Sequence, residues 1–567
     1  MHLGLIRQII FSAKNHHKLL ASCAWTSGAP SVFSWFSEKK GENHDKNAKK
    51  ENKKLVKAGL EMTSSNGAEN AKEGSYSILT GFIYVSNLMV GTGALTMPLA
   101  VATAGLAVSV PMLCLLCVFS FVTCTCIVEA MSGANAVRKI QAKRRRQPAD
   151  VSSSSSSVNS QLIDVNGDNS DESPNSYDDD QDPLLPRQAS RNKELFQISE
   201  RVELGMMAKM FFNRSGTALF YACMVIYLYG DLAIYAVAVP KNVVSILCNN
   251  LTCRPNMTLP DNNLDLPCSP GFHSNFLERS SRRTVYHVVL GVFIGVLGPF
   301  AFFDVSKTKL LQLMTSLVRW ISFLSMIILA IMRIANGHSV TPVVADISAV
   351  PNLFGVAVYS FMCQHSLPAL LTPISQKSKL TSMFVGDFVV VLTFYMLLCL
   401  TAAFCFDHKT IQDLYTLNFL LDCQVCSSDG LRYFLAAFPV LTLSTSFPII
   451  TVTLRNNLRS LVGMDDDQRL VWKILFPILA MGPPIILAFF TDNLETLVGI
   501  TGSYAGAGIQ YVIPVALVYF ARKSVAALDP QAKNPHRLKI NSNGTMIVVL
   551  IWTLLAISFV TYNHIAG

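Results

Sequence analysis

Eleven mostly apolar runs, each long enough to cross a bilayer as a helix, constrain this 567-residue chain more than any other feature. A hydrocarbon core of about 30 Å takes roughly 20 such residues per crossing. Runs of that length fall at about 78–101, 107–131, 216–247, 286–305, 309–334, 350–373, 383–406, 431–453, 470–490, 494–520 and 544–565. Inside hydrocarbon every backbone N–H and C=O must find its partner within the protein, and a helix supplies it segment by segment. The expected fold is an all-α polytopic membrane protein. With 51% apolar and 15% charged residues, the chain lacks the polar surface of a soluble domain.

Basic residues orient the crossings, because Lys- and Arg-rich flanks resist translocation. Lys39, Lys40, Lys49, Lys50, Lys53 and Lys54 precede the first run, and RKIQAKRRR (138–146) follows the second. SKTK, SQKSK, RNNLR and ARKS close the fourth, sixth, eighth and tenth runs on the same side. That agreement requires eleven crossings, since one missed helix would invert every later loop. Residues 1–75 are then a cytoplasmic extension, expected to be disordered. Their first 37 residues hold no acid and resemble a transit peptide only faintly. Residues 76–131 hold two crossings, 132–215 form a cytoplasmic linker, and 216–565 hold the other nine, with luminal loops at 248–285 and 407–430. The net charge of +9 is a sum over cytoplasmic loops and implies no nucleic-acid partner.

Cysteines and sequons fit this orientation. Cys248, Cys253 and Cys268 fall in one luminal loop and Cys423 and Cys426 in the other, where disulfides are permitted. No second Cys or His pair stands near the C-x-x-C of Cys423 and Cys426, so it reads as a disulfide rather than a metal or redox pair. Asn250-Leu-Thr and Asn256-Met-Thr are glycosylation candidates. The matches at Asn213 and Asn543 lie at cytoplasmic or edge positions and read as chance.

The linker is Ser-rich and acidic, too polar to fold alone. Its DQDPLL, with Asp180, Leu184 and Leu185, looks like an acidic dileucine sorting signal that a clathrin adaptor would bind in extended form, which favours endosomal or lysosomal membranes over the plasma membrane. Behind it, residues 194–212 space Phe196, Val202, Met206 and Met210 as an amphipathic helix on the membrane face would.

Two crossings interrupt themselves. NLMVGTGALTMPLA (87–100) carries Gly91, Thr92, Gly93 and Pro98, and irregular backbone at membrane depth survives only where it lines a protein-enclosed cavity. Val90 to Ala94 thus form a candidate cradle whose freed N–H groups can hold a carboxylate. The alternative is that Gly91 and Gly93 are small-residue helix contacts. The sixth run, GVAVYSFMCQHSLPALLTP (355–373), is interrupted by Ser360, Cys363, Gln364, His365 and Pro368, with Tyr359, Ser360 and Cys363 as candidate substrate contacts. Broken helices at matching places of two inverted halves point to a transporter site at the midplane.

GTGALTMPLAVATAG (91–105) resembles the first-helix pattern of the amino acid/auxin permeases, a Gly-x-Gly turn followed by Leu-x-x-Pro and a later Gly. VYSFMCQHS (358–366) is similar to that family's Ser-Phe-x-Cys-His region, with Gln364 inserted. STSFPIITVTLRNN (444–457) and GITGSYAGAGIQYVIP (499–514) resemble its eighth and tenth helices. The resemblance spans all eleven runs and implies a LeuT-like five-plus-five inverted repeat with one added helix. It also implies that Tyr235 faces the substrate cavity. In related carriers sodium sits between the first-helix break and hydroxyls of the eighth, where Ser444, Thr445 and Ser446 stand here. Such hydroxyls also serve simply to bond the preceding turn.

Asp231 is the most informative charge. An isolated Asp at mid-membrane costs about 2.5–3.5 kcal/mol on translocon scales, so it must be paired, protonated or lining water. It is either a proton-coupling group or half of a static pair with Arg319. His365 is a second proton acceptor by its chemistry, or a simple interhelical hydrogen bond. Glu129 and Asp304 read as interfacial charges. The function expected is a secondary active transporter of amino acids or similar zwitterions, proton-coupled in preference to sodium-coupled. A non-transporting sensor on the same fold is the alternative. No nucleophile–base set or metal cluster points to an enzyme, and no cofactor is expected beyond the coupling ion.

Overall fold

Hydrophobic length alone places most of the helices. The computed structural model describes residues 76–151, 184–249, 264–269, 277–302, 309–422, 424–426, 428–463 and 469–566. The N-terminal extension, Asp180, Asn250, Asn256, Cys253, Asp304 and Cys423 lie outside them. Among the described residues the regular elements are helical, and ten helices plus one bent pair are long and apolar enough to cross a membrane.

These give eleven spans. Span 1 is the bent pair, 1a (Ile78–Met89) and 1b (Gly93–Ala104), meeting at 54°. Spans 2 to 5 are Leu106–Val151, Arg214–Leu247, Arg282–Phe302 and Lys309–Ala335. Span 6 is also broken, into 6a (Val350–Ser360) and 6b (Leu367–Leu371). Spans 7 to 9 are Leu380–Cys405, Asp429–Val462 and Leu470–Phe490. Span 10 runs Leu494–Leu528 through two π-helical turns, Gly502–Gly506 and Gly508–Val512, and span 11 is Asn543–Ala566. The two broken spans open successive groups of five, and 1b packs on 6a.

Span 2 is much longer than the expected 107–131, because the Ala-, Lys- and Arg-rich stretch behind it is itself a good helix former. Two expectations at the end of this span change. Glu129 is a buried ion-pair partner rather than an interfacial charge: Arg522 meets its two oxygens at 2.7 and 2.9 Å, and Asn541 donates to it at 3.3 Å. Residues 194–212 do not form one amphipathic helix. Helices Leu184–Leu195 and Leu204–Phe211 flank an extended link that lies on span 2, where Asn135 Oδ1 accepts from Ser199 N (3.2 Å) and Glu200 N (2.9 Å). Phe196 and Val202 point inward there, a burial that outweighs helical periodicity. Leu184 and Leu185 open the first of these helices instead of standing extended.

On the basic face, span 1 is tied to the turn after span 6: Tyr76 N donates to Pro373 O (3.0 Å) and Ser375 N to Tyr76 O (3.1 Å). On the opposite face Gly105, at φ +83°, turns the chain from 1b into span 2 in a conformation that L side chains rarely adopt, with the 343–345 backbone packed against it. Cys248 and Cys268 form a disulfide. Cys426 is a free buried thiol directed at Ser428 O (3.7 Å), and its expected disulfide partner Cys423 lies outside the described residues. Asn213 caps span 3, accepting from Gly216 N at 2.8 Å, which accounts for an Asn-x-Ser match there.

Candidate functional site

At the span 1 break the backbone carbonyls of 1a's last turn have no helical partner. Val90 N still reaches Ser86 O (3.0 Å), and Gly91 N turns back on Met89 O (2.8 Å). Arg319 of span 5 covers Val90 and Asn87, its Nη1 donating to Val90 O (2.8 Å), Asn87 O (2.9 Å) and the side-chain Asn87 Oδ1 (3.2 Å). Tyr395 of span 7, fully buried, places its hydroxyl 2.8 Å from Met89 O and 3.0 Å from Ser360 O, stapling the two breaks together. Thr92 is buried in the turn, with its side chain against that of Tyr235.

The two glycines of the turn differ. A Cβ at Gly93 would run into Ser360, 2.8 Å from its Cα, so Gly93 is where 1b and 6a touch. A Cβ at Gly91 would meet only Leu88 O and Met89 O, at 3.9 and 4.0 Å. Ala94 is buried next to this crossing.

The span 6 break is closed by its own side chain. Gln364 Oε1 accepts from Cys363 N (3.0 Å), while its Nε2 donates to Thr123 Oγ1 (3.1 Å) and Ser120 O (3.4 Å) of span 2. Cys363 Sγ stands 3.2 Å from Cys124 Sγ. The His365 ring lies 5.7 Å from that of Tyr227, which in turn lies 6.2 Å from Tyr359, and His365 Nδ1 is buried without a partner.

Asp231 and Arg319 are not paired with one another. Tyr359 donates to Asp231 Oδ1, linking span 3 to 6a, while Arg319 is committed to span 1. Tyr235 lies within interaction range of both charges. In span 8, Thr445 and Ser446 donate to Thr442 O at 2.9 and 3.0 Å, bonding their own preceding turn, and Ser444 is half-buried beside them. The structure thus gathers residues 90–94, Tyr235, Tyr359, Ser360, Asp231 and Arg319 around the crossing of the breaks.

Three polar residues at this crossing were not among the expected site residues. Tyr395 left no signal, since a tyrosine in an apolar run is ordinary. Gln364 stands among the polar residues that interrupt the sixth run, with nothing in the sequence to say which groups it bonds. Asp387 of span 7, fully buried and accepting from Ser86 Oγ at 2.5 Å, left the same signal as Asp231, one acid in an apolar run.

Residues 74–146, spanning the first break and span 2, match the family model described as transmembrane amino acid transporter protein. Over longer stretches the chain is similar to transmembrane protein 104 of Homo sapiens, 45% identical over 86% of this chain and 97% of that one. It is 39% identical to the Drosophila melanogaster homolog, over 88% and 98% of the two chains. With the Dictyostelium discoideum homolog it shares 34% identity over 87% and 97%.

Proposed function

The chain belongs to the transmembrane protein 104 family, and on that premise we propose that it is a secondary active transporter of amino acids or similar small zwitterions, coupled to protons rather than sodium. Thr92 carries this reading: a buried polar residue at an unwound turn, its side chain against that of Tyr235, stands where the freed backbone N–H groups of a helix break can take a carboxylate. Arg319 stands next to it and uses only Nη1 on the carbonyls, which leaves Nε and Nη2 for a substrate carboxylate. Arg319 also bears on the choice of ion. A sodium ion at this break would need the carbonyl oxygens that the guanidinium already covers, and two like charges there would repel. A proton on Asp231 needs no such place, and its bond from Tyr359 would carry the change into 6a.

The test is reconstitution of the full chain into liposomes with labelled amino acids under imposed proton or sodium gradients. Proton-driven accumulation is expected, lost in Asp231→Asn while substrate exchange persists, because exchange needs no net proton return. Binding without flux would replace the carrier with a sensor. Sodium-driven accumulation would overturn the ion assignment.

The same proposal places the basic face in the cytoplasm and the protein in endosomal or lysosomal membranes. Leu184→Ala with Leu185→Ala should move it to the cell surface, and an unchanged distribution would remove the sorting motif. Deglycosylation should shift its mobility unless Asn250 and Asn256 are both replaced by Gln.

A further inference from the structure

Span 1's two halves are held very differently. Ten of the twelve residues of 1b are buried, against four of the twelve in 1a, so 1a is the half that can move. Its polar ties to the rest of the molecule are few. Tyr76 joins it to the turn after span 6, Arg319 and the Tyr395 hydroxyl hold its upper end, and Ser86 is bonded to Asp387 in the middle.

Asp387 is an unusual anchor. Its Oδ1 accepts from Ser86, but its Oδ2 is buried with no partner. Among the described residues, the groups facing it from neighbouring elements supply no counter-charge. Span 2 offers the thiols Cys117, which donates to Phe388 O, and Cys124, which is directed at Cys363. Arg319 of span 5 is bonded to span 1, and Lys377, before span 7, caps the carbonyls of Leu371, Thr372 and Ile374. An ionised carboxylate with one hydrogen bond and no cation is the costly form in such a place. A neutral acid keeps the Ser86 bond on its carbonyl oxygen and carries the proton on the other.

We propose that Asp387 is a proton-binding group that latches 1a: protonated, it holds Ser86 and keeps 1a against span 7, and when 1a swings away the proton passes to cytoplasmic water. This rests on the transporter reading above and adds to it a second proton site, set at the moving half-helix instead of at the substrate. The carboxylate left behind would be hydrated on the opened path, and return of a proton would close the latch.

Infrared spectroscopy of the full chain in lipid tests the proton without reference to transport. At neutral pH the wild type should show a protonated carboxyl C=O band that Asp387→Asn abolishes and Asp231→Asn leaves in place. Ser86→Ala should move that band to higher frequency, because the C=O loses its donor. If Asp387→Asn fails to fold, the Ser86→Ala shift decides alone, and its absence overturns the assignment. A protonated-carboxyl signal from which Asp387→Asn removes nothing does the same. In liposomes, Asp387→Asn, permanently neutral, should lose most proton-driven accumulation while still binding substrate. Full accumulation by that variant would overturn the latch. If the wild type moves no amino acid at all, the transporter reading fails, and the infrared result still decides the proton.

Discussion

The two breaks solve the same problem by opposite means. Span 1 leaves carbonyls exposed at mid-membrane and an arginine from another helix covers them; span 6 leaves an N–H exposed and the neighbouring Gln364 covers it. One solution is ionic and borrowed, the other neutral and local. An ionic cap responds to a second charge, whereas an amide cap bonded to span 2 is indifferent to it. The contrast assigns ion and substrate response to the first break and anchorage to the second. It can be broken at each.

The largest effect is expected from Arg319→Ala. Bonds from charged donors are worth about 1.5–3 kcal/mol each, so losing the set should cost about 3 kcal/mol or more in a detergent melting experiment. Sodium should then raise the melting temperature of the variant and not of the wild type, since the uncovered carbonyls become an ion site. Equal sodium response in both would show that the guanidinium is not standing where a cation would.

Next comes Gly93→Val, which drives side-chain atoms into Ser360 at the crossing of 1b and 6a and should destabilise by about 1–3 kcal/mol through overpacking. Gly91→Ala meets nothing closer than 3.9 Å and should melt like wild type while changing substrate KM. Reversal of these two results would exchange the roles of the glycines, putting the ligand at Gly93 and the packing at Gly91.

How far the sequence discloses this follows from what each feature depends on. The eleven spans depend on hydrophobic length, a local property, and the broken pair on Gly and Pro in apolar runs, also local. Tertiary partners are not local. Nothing in SLVRWISF says that Arg319 turns to span 1 and away from Asp231, and nothing in GTG says which glycine touches Ser360. The split of residues 194–212 was hidden for the same reason: the periodic pattern is real, but Asn135 on span 2 offers the backbone a better partner than helix does. Asp387 is legible, because a lone intramembrane acid is a signal wherever it occurs.

Gln364→Leu probes the neutral break. It strips partners from Cys363 N and Thr123, and each group left unsatisfied costs about 1–3 kcal/mol, reduced where the site relaxes. The expected outcome is a lower melting temperature with unchanged ion dependence of uptake. A changed ion dependence would show that the second break also carries charge response, and the contrast would fall.

The smallest effect concerns the foot of span 6. Lys377 caps the carbonyls of Leu371, Thr372 and Ile374, and His536, in the turn between spans 10 and 11, lies close to it. Burial first, and then Lys377, push the His536 imidazole below its ordinary range, with Glu129 opposing. The folded protein therefore holds His536 neutral at a pH where the unfolded chain already binds the proton. Its stability contribution is present above the ordinary histidine range, near pH 6.5, and is lost as pH falls below it. Between about pH 7 and pH 5 the melting temperature should fall slightly, and less in His536→Gln. Hydrogen exchange should rise at residues 370–379 and stay flat across Ile78–Met89. A rise in span 1 instead would place the acid-sensitive element at the ionic break.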